Sequence, residues 1–346
     1  MAGGLARALD YGDRVGAEVV QVFVSNPRGW APAPGSARQD AAFRDGCGQR
    51  GWPVFVHAPY LVNLASPTLA TKTRSVDALA HSLRRAGDIG AAGVVVHAGS
   101  AVAGARYEQA LGQLRELLLP LLDEIDDAGP RLLVEPTAGG GMTLAARVEQ
   151  LEQYFAALDG HPKLGVCLDT CHAWAAGHDL AAARGLARTV TALTKAVGRG
   201  RLGLVHANDS RDPCGSLRDR HQTLGAGTIG AAAFGQLFGV RALAGVPIVV
   251  ETPGETHAAD IALLKRFRDP AAEPAVPSAE PGALSVQPGA PSVQPGVPPA
   301  EPPAPSAEPA ALSVQAGVPS AEPAALSVQA GVPSAEPAVP SARTGG

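Results

Sequence analysis

Seven short apolar segments, each followed by a stretch of helical character, constrain the fold of this chain more than any other feature of its sequence. The segments lie at residues 19–24, 53–57, 93–97, 131–135, 164–169, 202–206 and 247–251. Strands that are apolar throughout are typical of a parallel sheet buried on both faces, and this many strand–helix units favours closure into a barrel over an open sheet. The sequence therefore predicts an α/β protein with the (β/α)8 fold of a TIM barrel.

The eighth strand that such a barrel needs is missing from the start of the pattern. Residues 2–16 already have the character of the helix that would follow a first strand, and only Met1 lies before them. We therefore expect a TIM barrel that lacks its first strand at the N-terminus and leaves the neighbouring strands with unpaired edges. A misassigned start codon would explain the loss.

The last part of the chain differs from the rest in composition. Residues 270–346 are almost all Pro, Ala, Ser, Gly, Val and Glu, with no aromatic residue, and a fourteen-residue unit at 305–318 recurs at 319–332. Such a segment buries too little apolar surface to offset chain entropy, and its units have no apolar face on which to stack. The sequence predicts a TIM-barrel domain at 1–269 and a disordered, low-complexity Pro/Ala-rich repeat tail at 270–346.

Charge and cysteine content limit the class of protein. The tail's six Glu and one Arg contribute −5 to the net charge of −4, so the first 269 residues carry +1. This near-neutral charge neither supports nor excludes a nucleic-acid partner. Four cysteines without CxxC spacing favour a reducing compartment, and no segment reaches the roughly 18 consecutive apolar residues of a membrane span. We expect a cytoplasmic monomer that does not enter membranes.

Residues with metal-ligand chemistry fall at the ends of the predicted strands, which form the active-site mouth of a TIM barrel. These residues are His57, His97, Glu135, Asp169 with His172 one turn further on, His206 and Glu251. Between the last two strands, Asp219 and His221 are two residues apart and so lie on the same side of an extended backbone. Five histidines and four carboxylates are a ligand set typical of zinc rather than magnesium.

Each of these residues has an ordinary explanation when it is taken alone. A histidine after a strand is often a satisfied polar residue, and a carboxylate at a strand end often caps the next helix. Nine such residues around one mouth are hard to explain by capping, because their concentrated charges would repel one another without cations. We therefore interpret the nine as metal ligands, and we interpret Cys167 as a packing residue inside a buried strand.

Long motifs around these residues resemble the endonuclease IV family of abasic-site endonucleases. In chain order the motifs are HAPYLVNLAS from His57, VVVHAGS around His97, LLVEPTAGGG around Glu135, GVCLDTCHAWAAGHDL from Gly165, VHANDS around His206, DRHQTLGAGTIG from Asp219 and IVVETP around Glu251. The resemblance covers residues 2–268. It implies a DNA-repair hydrolase that cuts double-stranded DNA 5′ to abasic sites, leaving a 3′-hydroxyl and a 5′-deoxyribose phosphate.

The resemblance also implies a trinuclear zinc centre and a role for each ligand. One zinc ion is expected at His57, His97 and a bridging Glu135, a second at Glu135, Asp169, His206 and Glu251, and a third at His172, Asp219 and His221. Manganese or iron can replace zinc at some of these positions. Glu135 and Glu251 are also the expected catalytic residues. The sequence departs from the family where Ala98 replaces a proline and Pro136 an asparagine.

Two loops at the mouth are candidates for DNA binding. The segment SNPRGW at 25–30 supplies Arg28 and Trp30, and Tyr60 and Leu61 follow the ligand His57. An arginine, an aromatic ring and an apolar wedge can enter a groove and hold a duplex bent, which helps to extrude an abasic nucleotide. The alternative for Trp30 and Tyr60 is simple packing over the barrel rim.

Two other functions compete with the nuclease. A metal-dependent sugar isomerase or epimerase with the same barrel needs only Glu135, Asp169, His206 and Glu251, and would leave the other five ligands unexplained. A truncated, non-catalytic remnant that keeps only binding or tethering is the second alternative, and the complete ligand set argues against it.

Overall fold

The seven apolar segments form the strands of one sheet in the computed structural model of the chain, which describes residues 4–101 and 107–270. The strands are β1 (Val20–Val22), β2 (Val54–His57), β3 (Gly93–His97), β4 (Arg131–Glu135), β5 (Leu164–Asp169), β6 (Leu202–His206) and β9 (Ile248–Val249). The predicted strands are confirmed, but the first and last are shorter than predicted. Glu251 therefore lies two residues beyond the end of β9.

Helices follow the strands, as the predicted alternation requires. They are α1 (Gly4–Val15), α2 (Ala37–Arg50), α3 (Leu69–Asp88), α4 (Tyr107–Asp123), α5 (Leu151–Ala157), α6 (Thr170–Ala175), α7 (Gly185–Val197), α8 (Ala231–Gly235) and α9 (His257–Arg268). Local sequence sets both ends of α2. The Ser36 side chain accepts a hydrogen bond from the Gln39 backbone at the start, and Gly51 ends the helix with a φ of 66°. Within the described ranges, no helix combines the length and apolar character that crossing a membrane requires.

A short antiparallel hairpin stands outside the main sheet. Its strands are β7 (Asp209–Ser210) and β8 (His221–Gln222), and the pairing sets Asp209 opposite Gln222 and Ser210 opposite His221. This hairpin carries one of the predicted ligands, His221, towards the end of β6.

The main sheet is a TIM barrel whose ring of strands is not complete. Every ladder is parallel and joins strands that are neighbours in the order β1, β2, β3, β4, β5, β6, β9. Within the described residues no ladder joins β1 to β9, and no strand precedes α1. A cavity of about 1460 Å³ is lined by both edge strands, including Val20 and Ile248. We call this gap between β1 and β9 the seam, and it lies where the missing strand was predicted.

Two apolar cores lie on the two faces of the sheet. The larger core packs the outer strand residues against the helices, and the smaller one fills the barrel interior with Phe55, Val95, Leu133, Cys167 and Leu204. Leu133 fits against glycines on three other strands: a Cβ atom added at Gly93, Gly165 or Gly203 would lie 3.0, 2.7 or 2.8 Å from its side chain. The glycines therefore make room for the leucine that forms the floor of the barrel.

The predicted tail lies outside the described residues, apart from Pro270. Its predicted disorder and the predicted domain boundary after residue 269 stay predictions.

Candidate metal centre

A two-residue spacing along each strand brings the polar residues to the mouth of the barrel. Side chains two residues apart on a strand point to the same face, and each interior apolar residue is followed two positions later by a polar one. The pairs are Val19 and Gln21, Phe55 and His57, Val95 and His97, Leu133 and Glu135, Cys167 and Asp169, Leu204 and His206, and Val249 and Glu251. The register aligns them further, because His97 lies opposite Glu135 and Asp169 opposite His206.

The first group of ligands consists of His57, His97 and Glu135. Their ligand atoms all lie within 4.8 Å of one another. Glu135 Oε2 is 3.3 Å from His57 Nε2 and 3.6 Å from His97 Nε2, and it has no hydrogen-bond partner although it is buried. Ligand atoms bound tetrahedrally at the usual zinc distances are roughly 3.4 Å apart. The orphaned oxygen and these spacings fit a metal ion between the three side chains.

The second group shares Glu135 and adds Asp169, His206 and Glu251. His206 Nδ1 is at its centre, 3.0 Å from Glu135 Oε1, 3.2 Å from Glu251 Oε2 and 3.9 Å from Asp169 Oδ2. Asp169 has two tasks: its Oδ1 accepts a hydrogen bond from the His172 backbone and caps α6, while Oδ2 faces the group. Capping and ligation, which the sequence presented as alternatives, are compatible in one carboxylate.

The third group lies between α6 and the hairpin. Asp219 joins its two imidazoles, with Oδ2 3.1 Å from His172 Nε2 and Oδ1 3.1 Å from His221 Nε2. His221 Nε2 is buried without a hydrogen-bond partner, and it also lies 3.7 Å from Asp169 Oδ2. All nine predicted ligands thus converge on one mouth.

Charge is concentrated in this centre. Burial alone would raise the pKa of Glu135, but the imidazoles, His206 foremost, outweigh it and hold this pKa well below its usual value. Burial alone would lower the pKa of His172 and His206, but neighbouring acidic groups raise both pKa values well above the usual value. Burial also opposes the charged form of His221, but Asp169 and Asp219 raise its pKa to about 9. The carboxylates therefore require cations, which are either protons on the imidazoles or bound metal ions.

Hydrogen bonds to the second ring nitrogen orient the imidazoles. His57 Nδ1 is 2.7 Å from the Ala58 carbonyl, His172 Nδ1 is 3.1 Å from the Pro136 carbonyl, and His221 Nδ1 is 3.1 Å from the Glu251 carbonyl. A proton donated from Nδ1 to a carbonyl leaves Nε2 free to bind a metal. Proline retains its carbonyl, so Pro136 serves this purpose despite the departure from the family pattern.

Two residues that were not predicted from the sequence, Gln21 and Asn208, support the predicted ligands. Gln21 Oε1 accepts a hydrogen bond from His206 Nε2 at 2.9 Å, and Gln21 Nε2 donates to Glu251 Oε1 at 2.7 Å. Asn208, which is fully buried, donates to Asp169 Oδ2 at 2.6 Å and accepts from the Glu251 backbone at 2.7 Å. The signal for Gln21 was available, because it obeys the same two-residue rule as the ligands.

The buried cysteines near the centre are neutral. Burial raises the pKa of Cys167 and of Cys171 to about 12. A Cys167 ligand atom lies within 4.8 Å of those of Glu135 and His206, and Cys171 is equally close to Asp219 and His221. A neutral thiol is a poor metal ligand, so both are consistent with the packing role predicted for Cys167.

The predicted DNA-binding residues lie at or near the rim. Tyr60 is 47% exposed, and its ring stacks beside that of His97 with 5.9 Å between centroids. Leu61 and Arg28 are exposed and Trp30 is half-buried. A hydrogen bond of 2.9 Å from the Tyr60 backbone to the Pro27 carbonyl ties the two predicted loops together. They therefore form one continuous rim beside the first ligand group.

Most of the chain is similar to known proteins. Residues 9–271 match the family described as xylose isomerase-like TIM barrel. A relative from Streptomyces coelicolor, named probable endonuclease 4, is 55% identical over 273 residues, which are 78% of this chain and 93% of the relative.

Solved structures are also similar to the chain. Endonuclease IV from Thermus thermophilus matches with a TM-score of 0.69 and 35% identity, covering 78% of this chain and 96% of that protein. A D-tagatose 3-epimerase-like protein matches with a TM-score of 0.56 and 19% identity, covering 72% of this chain and 88% of that protein. At this identity the second likeness shows the fold alone.

Proposed function

The chain belongs to the endonuclease IV family of xylose isomerase-like TIM barrels, and from this membership we propose that it hydrolyses the phosphodiester 5′ to abasic sites in double-stranded DNA. It is a hydrolase, a nuclease of DNA repair. The proposed products are a 3′-hydroxyl and a 5′-deoxyribose phosphate. The observation that carries the proposal is the convergence of nine ligands around two buried ligand atoms, Glu135 Oε2 and His221 Nε2, that have no hydrogen-bond partner.

We propose a trinuclear centre, with zinc as the preferred metal and manganese or iron as possible substitutes. The three groups that would hold it are His57 with His97 and Glu135, Glu135 with Asp169, His206 and Glu251, and His172 with Asp219 and His221. When bound, zinc supplies Lewis-acid chemistry that brings the pKa of water towards about 7 and neutralises charge on a phosphate.

The protein's own residues would hold and orient this chemistry. Glu135, fully buried, belongs to two ligand groups and fixes the spacing between them. The side chain of Glu251 is 21% exposed, so it reaches the mouth and can accept a proton from water that enters there. These are the roles that we propose for the two catalytic carboxylates.

Substrate binding would use the rim. Arg28 is exposed and suited to a phosphate, while Tyr60 and Leu61 present apolar surface beside His97. With Trp30, these side chains would enter the groove of a bent duplex and favour the extruded abasic nucleotide, which costs least to unstack because it has no base. The proposed partner is therefore abasic duplex DNA, bound by a monomer.

The direct test is cleavage of a duplex that contains one tetrahydrofuran abasic analogue, which cannot undergo β-elimination. We expect chelator-sensitive incision that leaves a 3′ end a DNA polymerase can extend. His221→Ala is expected to reduce the rate at least about a hundredfold, since even supporting residues of metal sites contribute 10–100-fold. His161→Ala is the matched control, because His161 lies before β5, away from the mouth.

Two outcomes of this assay would overturn the proposal. One is no incision by folded, zinc-saturated protein, and the other is incision that survives both the chelator and His221→Ala. In the first case, the group of Glu135, Asp169, His206 and Glu251 alone favours a sugar isomerase or epimerase, which a ketose interconversion assay would detect. A remnant without activity would show no change in melting temperature on chelation.

A further inference from the structure

Asp209 has a buried carboxylate that is not one of the nine predicted ligands. It is fully buried and forms β7 with Ser210, three residues after the ligand His206. Among the described residues no cationic side chain forms an ion pair with it. An ionised carboxylate in such a place needs other compensation, because burying an unpaired charge is costly.

Backbone N–H groups supply that compensation. Asp209 Oδ1 accepts from Ser210 N at 2.8 Å and Ile229 N at 2.9 Å. Oδ2 accepts from Gly225 N at 2.9 Å, Gly227 N at 3.1 Å and Gly230 N at 3.3 Å. Four of these five donors belong to the segment 225–230, so one side chain fixes the course of that whole segment.

The fit leaves no room at the centre of the segment. A Cβ atom added at Gly227 would collide with both Asp209 Oδ1 and the Ser210 carbonyl. Only glycine can therefore occupy this position while the carboxylate stays in place.

The segment held by Asp209 directly follows the ligands of the third group. Asp219 lies just before β8, and His221 is its first residue. β8 pairs with β7, where Asp209 lies opposite Gln222. On the other side, Arg220, which lies between the two ligands, forms an ion pair with Asp212. The segment 209–212 therefore contacts the chain both between the two ligands, at Arg220, and after them, at residues 225–230.

We propose that Asp209 is a positioning residue that keeps Asp219 and His221 in the geometry required for the third metal ion. This inference rests on the proposed metal-dependent function. Asp209 acts through the loop backbone and contacts neither DNA nor metal. The first two ligand groups lie on the strands of the barrel and just beyond β9, so this loop carries none of their ligands.

The test is a zinc titration of the full chain. Protein is equilibrated with a competing chelator at a series of free-zinc concentrations, and bound zinc is measured by mass spectrometry. In Asp209→Asn the side-chain amide would face backbone N–H donors, so we expect the third zinc to require at least about tenfold more free zinc, within the range known for residues that support metal ligands. The other two zinc ions should bind as in the wild type, and excess zinc should restore the third.

Two further variants make the test specific. Gly227→Ala keeps the carboxylate but crowds it, so it should weaken binding of the same zinc ion. If Asp209→Asn does not fold, Gly227→Ala alone tests the positioning role. Asp40→Asn removes another buried carboxylate, paired with Arg85 on the outside of the barrel, and should leave all three zinc affinities unchanged.

The positioning role is wrong if Asp209→Asn and Gly227→Ala titrate like the wild type, or if Asp40→Asn loses the same zinc ion. If the wild-type protein itself binds fewer than three zinc ions, the proposed trinuclear centre is wrong, and the positioning role falls with it. This outcome is distinct from a change that is confined to the variants.

Discussion

Leu133, the residue at the floor of the barrel, offers a quantitative test of how the metal centre is supported. Leu133 is 1% exposed, and it fills space left by glycines on three other strands. Truncation to alanine removes buried carbon atoms and leaves a cavity, and such changes destabilise proteins by about 2–5 kcal/mol. The strands around Leu133 are held by backbone ladders and cannot collapse into the space. We therefore expect Leu133→Ala to cost ~4 kcal/mol, near the upper end of that range.

This free energy can be read from unfolding curves. For a domain of this size about 1 kcal/mol corresponds to roughly 2–4 °C, so the melting temperature should fall by roughly 8–16 °C. Denaturant unfolding of chelated and zinc-saturated protein would give the free energy in both states. Leu69→Ala is the control, because Leu69 is 73% exposed and its truncation should change stability by less than about 0.5 kcal/mol. If Leu133→Ala falls within about 1 kcal/mol of this control, the floor is not packed as described.

Two further predictions concern metal binding. Gln21→Ala removes the side chain that orients His206, so zinc affinity should fall about tenfold in a competition titration. The control is Gln39→Ala at an exposed position, which should have no effect. Equal zinc affinities for Gln21→Ala and the wild type would contradict the role of Gln21. In metal-free protein the pKa of His221 is about 9 and those of His172 and His206 are also raised, so these imidazoles carry protons at pH 7 that zinc must displace. Zinc affinity should therefore rise with pH up to about 9, and calorimetry in buffers of different ionisation enthalpy should detect proton release; heats that do not depend on the buffer would refute this.

The sequence was sufficient to predict the strands and the nine polar residues that converge at the mouth, because both follow simple periodicities. That these residues bind metal stays a prediction. Apolar runs such as 93–97 and 131–135 are too short for a buried helix, and His97 and Glu135 end them. The end of the sheet was harder to predict: Glu251 lies past β9, since the ladder with β6 includes only Ile248 and Val249. Strand ends depend on the partner's register, which a single sequence does not contain.

The supporting residues were missed for a different reason. Gln21 obeys the same two-residue rule as the predicted ligands, but a glutamine inside an apolar strand also has the ordinary explanation of an occasional solvent-facing residue. Asp209 stood in the quoted motif VHANDS, but its partners lie 16 to 21 residues later in a glycine-rich segment. Contacts between a side chain and distant backbone N–H groups leave no pattern in a sequence. In Asp169, one oxygen caps α6 while the other faces the second ligand group, so the two roles that the sequence offered as alternatives are compatible.

The seam is the line along which the barrel can open without breaking a backbone ladder. The two edge strands share no ladder, but the hydrogen bond from Gln21 on β1 to Glu251 beyond β9 crosses between them. Opening along this line would pull Gln21 away from both Glu251 and His206 and so loosen the second ligand group. Exchange of a bound metal with solvent and exchange of amide protons along β1 and β9 would then share one rate-limiting motion, and the lifetime of the metal would depend on how often the barrel opens along this line.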